Sequence, residues 1–376
     1  MSSFERLATL SGPQHSINAI AFSADAKYLA AVGKSCLVVC WYNAVWFFGV
    51  IVWDLRASAD LKTPIERFEA RKEHKFTTST WLQFKTDVEF SRHVLVIGSL
   101  DGQITALDLH EGDGVLQYTR QPASHTPPEQ TVLSLDHFRS WTLSLNGEFN
   151  FVFSMQLKQS FLPKTVRIQH ETRNIYVYSS KGGKRLVVRS VECVILHPQS
   201  GTIMTSFENG CEDMSYVAMD QSNDRFVTCT GDGFQLFRTS NLCHLRTFED
   251  SATPPVHHPC QVAFVEDGRK VVAGTDQGKV LIFDSEAGHL EQTLMYPGSK
   301  MVQTVATCTV SNDHYVAIAG SAAKKTSDVV VWRKKIQLPP SNSTRSTAKL
   351  FGYASICIIL AVSAIMILTN WEFEVV

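Results

Sequence analysis

The sequence predicts an all-β protein, a ring of repeated four-stranded sheets followed by one transmembrane α-helix. Three observations carry that expectation. Short β-branched and aromatic runs bounded by Gly, Asp and Asn recur through residues 1–335. Comparable positions in those runs return at a nearly constant spacing. Residues 350–369 form a twenty-residue stretch without a charge. The 376 residues are 44% apolar and 19% charged, which excludes a disordered, collagen-like or coiled-coil chain. Lys+Arg (35) and Asp+Glu (36) balance to a net charge of -1, so no overall field draws in nucleic acid, and none is expected as a partner.

The repeating unit is strand, tight turn, strand. Val50–Leu55, Ile104–Leu109, Phe234–Arg238, Val280–Asp284 and Val329–Arg333 are the clearest closing strands. The middle three follow turns at Asp101-Gly102, Asp232-Gly233 and Asp276-Gln277-Gly278, where Gly and Asp tolerate the positive φ of a tight hairpin. Phe237 to Phe283 is 46 residues, Phe283 to Trp332 is 49 and Trp53 to Leu107 is 54, close to the repeat of a four-stranded propeller blade. Blades then fall near 17–55, 80–109, 131–157, 165–189, 214–238, 261–284 and 303–333; the third and fourth are placed by period alone. Seven is the expected number, with six and eight left open.

The first unit reads Leu10-Ser-Gly-Pro-Gln-His15, Ile17-Asn-Ala-Ile-Ala-Phe-Ser-Ala-Asp25, Tyr28-Leu-Ala-Ala-Val32 and Val52-Trp53-Asp54. With these residues the chain resembles the WD-repeat β-propeller family. His15, Asp25, Trp53 and Asp54 match its signature, degraded later to Leu107-Asp108, Phe283-Asp284 and Trp332-Arg333. The resemblance implies that Asp25, Asp101, Asp232 and Asp276 sit in turns and brace the blades. It also implies that Arg6–Leu10 completes the last blade and closes the ring, leaving only short, protected strand edges.

Residues 34–48 break the pattern where a tight turn belongs between Val32 and Val50. Three readings stay open: a marginal second membrane span over Cys36–Trp53, a protruding apolar loop that touches a membrane or partner, or a retained intron. Deleting 34–48 leaves Ala31-Val-Gly-Gly-Val-Ile-Val-Trp-Asp54, an uninterrupted hairpin sequence.

Leu350–Thr369, at about 1.5 Å per residue, matches the roughly 30 Å of a bilayer core. Basic residues precede it, including Arg345 and Lys349, and only acidic and uncharged residues follow, with Trp371 suited to the far interface. The asymmetry predicts a cytosolic bulk, 1–335, a polar linker, 336–349, a bilayer-spanning helix, 350–369, and a short lumenal tail, 370–376. That layout is a tail anchor, with the endoplasmic reticulum favoured over the mitochondrial outer membrane. Asn342-Ser343-Thr344 is then expected to be unmodified, being on the cytosolic side. Nine loosely spaced cysteines without C-x-x-C fit reduced thiols, and Met1–Leu10 lacks a signal-peptide pattern.

No phosphate loop, dinucleotide fingerprint, nucleophile elbow or H-E-x-x-H motif is present. His257-His258-Pro259-Cys260 lacks a second ligand pair at zinc spacing. Lys181-Gly-Gly-Lys-Arg185 is read as a solvated basic hairpin tip. The expectation is therefore no catalytic residue, no cofactor, no metal and no enzyme, but a membrane-held scaffold for protein partners. The alternative is a guanine-nucleotide exchange factor for a small GTPase of COPII coat assembly. The layout of a cytosolic propeller and one span resembles that family. The polar first-blade loop such a factor uses to hold its GTPase is replaced here by apolar residues, with Asn43 alone matching.

Overall fold

The computed structural model describes residues 3–10, 16–33, 37–40, 43–46, 49–56, 66–68, 75–85, 91–100, 102–112, 115–122, 135, 161–168, 175–181, 191–197, 200, 202–209, 216–220, 223–230, 233–248, 260–297, 301–311, 313–320 and 328–336. The chain divides into two units, Met1–Lys335 and Ile336–Val376, and the described elements belong to the first. The predicted span 350–369 and its flanking Arg345, Lys349 and Trp371 lie outside the described residues. Among the described residues no helix is long and apolar enough to cross a membrane.

The described elements are strands in six antiparallel four-stranded sheets and one two-stranded hairpin. The chain opens with β1 (Glu5–Leu10). Sheet A follows, with β2 (Ile17–Phe22) and β3 (Tyr28–Gly33), then the small hairpin β4 (Leu37–Cys40) and β5 (Asn43–Trp46), then β6 (Val50–Asp54) and β7 (Glu66–Phe68). Sheet B holds β8 (Phe76–Lys85), β9 (Ser91–Ser99), β10 (Ile104–Gly112) and β11 (Val115–Pro122). Sheet C holds β12 (Phe161–Ile168), β13 (Ile175–Lys181), β14 (Val191–Leu196) and β15 (Ile203–Asn209). Sheet D holds β16 (Val217–Asp220), β17 (Arg225–Thr230), β18 (Gly233–Arg238) and β19 (His244–Phe248). Sheet E holds β20 (Val262–Val265), β21 (Lys270–Gly274), β22 (Lys279–Asp284) and β23 (Leu290–Met295). Sheet F holds β24 (Val302–Val310), β25 (Asp313–Gly320) and β26 (Val329–Lys335).

Sheet F takes its fourth strand from the opposite end of the chain. β1 pairs antiparallel with β26, Arg6 opposite Trp332 and Leu10 opposite Val329, as the resemblance to WD repeats implies. Gln292 of β23 adds a two-way clasp: its side chain accepts from Phe4 N–H at 2.9 Å and donates to Phe4 C=O at 2.9 Å.

The apolar runs lack a polar-out alternation because both faces of these strands are buried. In β3, Tyr28, Ala30 and Val32 pack toward sheet B, while Leu29 and Ala31 pack toward sheet F. In β22, Leu281 and Phe283 meet sheet D, while Val280 and Ile282 meet sheet F. Each pair of neighbours thus owns one core. Cys193 and Ile195 with Phe226 and Phe237 join C to D. Cys229 and Phe248 with Phe283 join D to E, and Val272 with Trp332 joins E to F. Val331 with Trp53 joins F to A, and Val52 with Leu95 joins A to B. The sheets therefore form an unbroken file C–D–E–F–A–B, consistent with a propeller. On the far face of B, Val94, Val96 and Ala106 pack near Leu135.

Two expectations need correction. In sheet C the third strand is Val191–Leu196, beyond the predicted limit of 189. The limit was set by period alone, without a turn signal, whereas Val191–Leu196 supplies Cys193 and Ile195 to a buried seam. The idea that Cys36–Trp53 crosses a membrane also fails. β6 stays in its blade, with Val32 opposite Val50, and Val50, Val52 and Trp53 are almost wholly buried there. Apart from Leu135, the unit predicted at 131–157 lies outside the described residues.

Candidate functional site

The described polar chemistry collects at the turns and in the seams between sheets. In the β2–β3 turn, Ser23 Oγ donates to Asp25 Oδ1 at 2.8 Å and accepts from Tyr28 N–H at 2.9 Å. Ala26 takes a left-handed φ of 54°, which lets this short turn close. The other carboxylate oxygen, Asp25 Oδ2, lies 3.0 Å from Nε2 of His93 in β9, across the A–B seam. Burial raises the Asp25 pKa, but hydrogen bonds from His93 and Ser23 outweigh it and hold the carboxyl well below its usual range. Tyr28 packs edge-on to the His93 ring at 4.9 Å and stacks on Trp81 at 5.9 Å. Trp81 Nε1–H donates to Ala21 C=O at 3.0 Å, so the aromatic wall is itself fixed to sheet A.

The D–E seam uses different residues for the same task. Arg225 donates to Asp220 Oδ2 at 2.8 Å and to Gly268 C=O in the next sheet at 3.1 Å, while Asn223 also donates to Asp220 Oδ2 at 2.7 Å. Gly268 sits at φ +82°, and a Cβ there would collide with the Asp220 carboxylate, so this position requires glycine on two counts. Across the E–F seam, Lys334 Nζ meets Glu266 Oε1 at 2.6 Å and Thr307 Oγ1–H donates to Phe264 C=O at 2.7 Å. His314, fully buried in β25, shares a hydrogen bond with Thr309 through Nδ1 at 3.0 Å. Its burial keeps the pKa below the usual histidine value.

The remaining signature residues divide among turns and cores. Asp54 accepts from Arg56 N–H at 2.8 Å and pairs with the Arg56 guanidinium at 2.7 Å. Asp284 accepts from Ala287 N–H at 2.6 Å and Glu286 N–H at 2.9 Å, and also from Lys270 Nζ at 2.8 Å. The Ala287 amide and Lys270 hold the Asp284 carboxyl down at about 2. Both aspartates therefore stop the third strand by capping the turn that follows. Trp53 fills the A–F core and Trp332 the E–F core. Asp108 stands in β10 opposite Val94, and Asp276 lies in the turn before β22. His15, Asp101, Asp232 and the His257-His258 pair lie outside the described residues.

Several bracing groups were not singled out from the sequence. Ser99 and Thr230 end a second strand and Thr275 directly follows one, and each hydroxyl donates to the carbonyl across the following turn, of Gln103, Gly233 and Lys279 respectively. Their signal is a small hydroxyl residue one to two positions before each Asp, visible once the turns are aligned. His93, Arg225 and Lys334 carry no comparable mark, because their partners come from other turns or sheets. Among the described residues no group of three His, Cys, Asp or Glu side chains could hold a metal ion.

Residues 4–42 match the WD domain, G-beta repeat. The match spans β1 to β4 and ends short of Trp53, within the segment that interrupts the first blade. No curated protein matches the chain. WD repeats suggest a scaffold for protein–protein interaction.

Proposed function

We propose that the chain is a non-enzymatic interaction scaffold, a seven-bladed propeller held on a membrane by residues 350–369, with its bulk in the cytosol. The observation that supports a scaffold is the use of the buried acids and bases. Asp25–His93, Asp220–Arg225 and Glu266–Lys334 all tie turns and sheets together rather than converging on a cleft. What such a ring offers a partner is its rim, where loops are positioned by a rigid frame.

The file of sheets supports a count of seven blades. B and C are its two ends, residues 123–160 join them in the chain, and Leu135 from that stretch packs on the end face of B. A seventh sheet there would cover both open ends. The charge-free span 350–369 and the basic residues before it support anchoring with the bulk of the chain in the cytosol. Confinement to a surface raises the effective concentration of the propeller toward partners on the same membrane.

Proximity labelling from the full chain and from a chain ending at Lys335 tests this function. A scaffold recruited to a membrane predicts one set of labelled proteins shared by both chains and enriched with the anchored form. Labelling that is indistinguishable from an unrelated anchored domain would overturn it.

A further inference from the structure

His93 and His314 stand at the same place in two blades. In sheet B, Leu107 faces Leu95, and His93 lies two residues before Leu95, opposite Leu109. In sheet F, Trp332 faces Val316, and His314 lies two residues before Val316, opposite Lys334. Both histidines are fully buried. The turns that reach toward them also match. Asp25 lies four residues before Leu29, which faces Trp53, and Asp267 lies four before Val271, which faces Phe283. Ala26 and Gly268, the next residues, are both left-handed, at φ 54° and 82°. The chemistry differs. In the A–B seam Asp25 Oδ2 meets His93 Nε2 at 3.0 Å. In the E–F seam Asp267 is exposed, Glu266 gives its carboxylate to Lys334 at 2.6 Å, and His314 Nε2 has no hydrogen-bond partner among the described residues. Glu266 and Asp267 also sit at left-handed φ, 57° and 55°, which non-glycine residues disfavour, so this turn depends on its seam contacts.

We infer that His314 is a proton-operated release in the seam where the ring closes: neutral, it holds sheets E and F together, and protonated in mild acid it loosens them. The neutral ring shares a hydrogen bond with Thr309 Oγ1 through Nδ1 at 3.0 Å. A proton on both nitrogens leaves a buried charge whose Nε2–H lacks an acceptor. The groups around it come from every packed element. Glu266, Asp267 and Arg269 belong to the β20–β21 turn, and Lys334 lies in β26 between Arg333 and Lys335. Asp313 and Tyr315 flank His314 in β25, and β24 faces it with the Thr309 hydroxyl. Burial, with Lys334 and Arg269, opposes the charge, while Glu266 and Asp267 favour it; burial prevails and keeps the pKa below the usual histidine value. Folding and protonation of His314 therefore oppose each other below about pH 6.5. The same seam secures β1. Gln292 of sheet E clasps Phe4, and Lys334 Nζ lies 5.7 Å from the centre of the Phe4 ring. Loosening E from F thus frees the strand that closes the ring.

Amide exchange of the full chain and its His314→Gln variant, at about pH 7.5 and about pH 5.5, tests the inference. Comparing the two proteins at one pH cancels the intrinsic pH dependence of exchange. The ratio of parent to variant rates in β1 and β20 should rise about three- to tenfold on acidification; one unit below pH 6.5 allows at most about tenfold for a single proton. β9, whose His93 already faces a carboxylate, should keep its ratio. Asp267→Asn alters an exposed side chain and leaves the buried ring intact, so it serves even where the His314 variant fails to fold. It removes a charge that favours the protonated ring, so β1 should respond to acid at least as strongly as in the parent. A constant parent-to-variant ratio in β1, an equal rise in β9, or a weaker acid response in Asp267→Asn would each overturn the inference. None of these outcomes depends on membrane attachment or on a bound partner.

Discussion

Replacing Asp25 by alanine should loosen the ring at the A–B seam. The carboxylate accepts hydrogen bonds from Ser23 Oγ at 2.8 Å and Lys27 N–H at 3.2 Å, and it meets His93 Nε2 at 3.0 Å. His93 is wholly buried, and its Nδ1 has no hydrogen-bond partner among the described residues. Without Asp25 both ring nitrogens are buried and unpaired. One lost charge-assisted bond with its buried remnant costs about 3 kcal/mol. At about 2.1 cal/mol/K of unfolding entropy per residue, a unit of this size would then lose roughly 4 °C in melting temperature. Lys27 is the internal control: its ammonium is 3.6 Å from the same carboxylate and about a third exposed, so Lys27→Ala should cost under about 1 kcal/mol. Differential scanning calorimetry on residues 1–335 measures both. Because the Asp25 pKa is depressed by folding, its contribution is full above the unfolded carboxylate value, about 3.9, and fades as pH falls through the folded value. The parent and Asp25→Ala should therefore converge in strong acid. Equal melting temperatures for Asp25→Ala and Lys27→Ala at neutral pH would refute the seam as a brace.

Four further outcomes follow from the same seams. Arg225→Ala should destabilise by about 3 kcal/mol, since it takes the cation from the buried Asp220 carboxylate and leaves neutral donors such as Asn223, and urea unfolding checks it. His314 has a folded pKa below its unfolded one, so its share of stability is complete above about pH 6.5 and is lost as pH falls below that value. His314→Gln should accordingly flatten the melting-temperature slope between neutral and mildly acid pH. Gln292→Ala removes the clasp on Phe4 and should cost about 1–2 kcal/mol, with faster amide exchange confined to β1 and β26. A nucleotide-exchange assay with residues 1–335 and a COPII-type GTPase should show no acceleration; any catalysed release would restore the exchange-factor alternative.

The legibility of this fold in its sequence depended on how local each cue is. Asp-Gly turns, the Val52-Trp53-Asp54 ending and the period of 46–54 residues are local, and they placed sheets A, B, D, E and F within a few residues. Sheet C was misplaced at its third strand because no turn signal marks it and period alone set its limits, which a spacing of 46–54 residues fixes only to within several positions. Its true place is fixed by the neighbouring sheet, where Cys193 and Ile195 meet Phe226 and Phe237. The seams were less legible still. Asp25 announced itself by its motif, but nothing near His93 in the chain points to a residue 68 positions earlier. Pairings of that kind exist only after the sheets have stacked, as with Arg225 reaching Gly268 and Lys334 reaching Glu266.

Alkaline extraction of membranes, followed by protease treatment of intact vesicles, addresses the proposed anchored scaffold most directly. The full chain should stay in the membrane pellet while a chain ending at Lys335 is released, and protease added outside should digest the propeller of the anchored form. Release of the full chain at alkaline pH, or a propeller protected inside the vesicles, would contradict it.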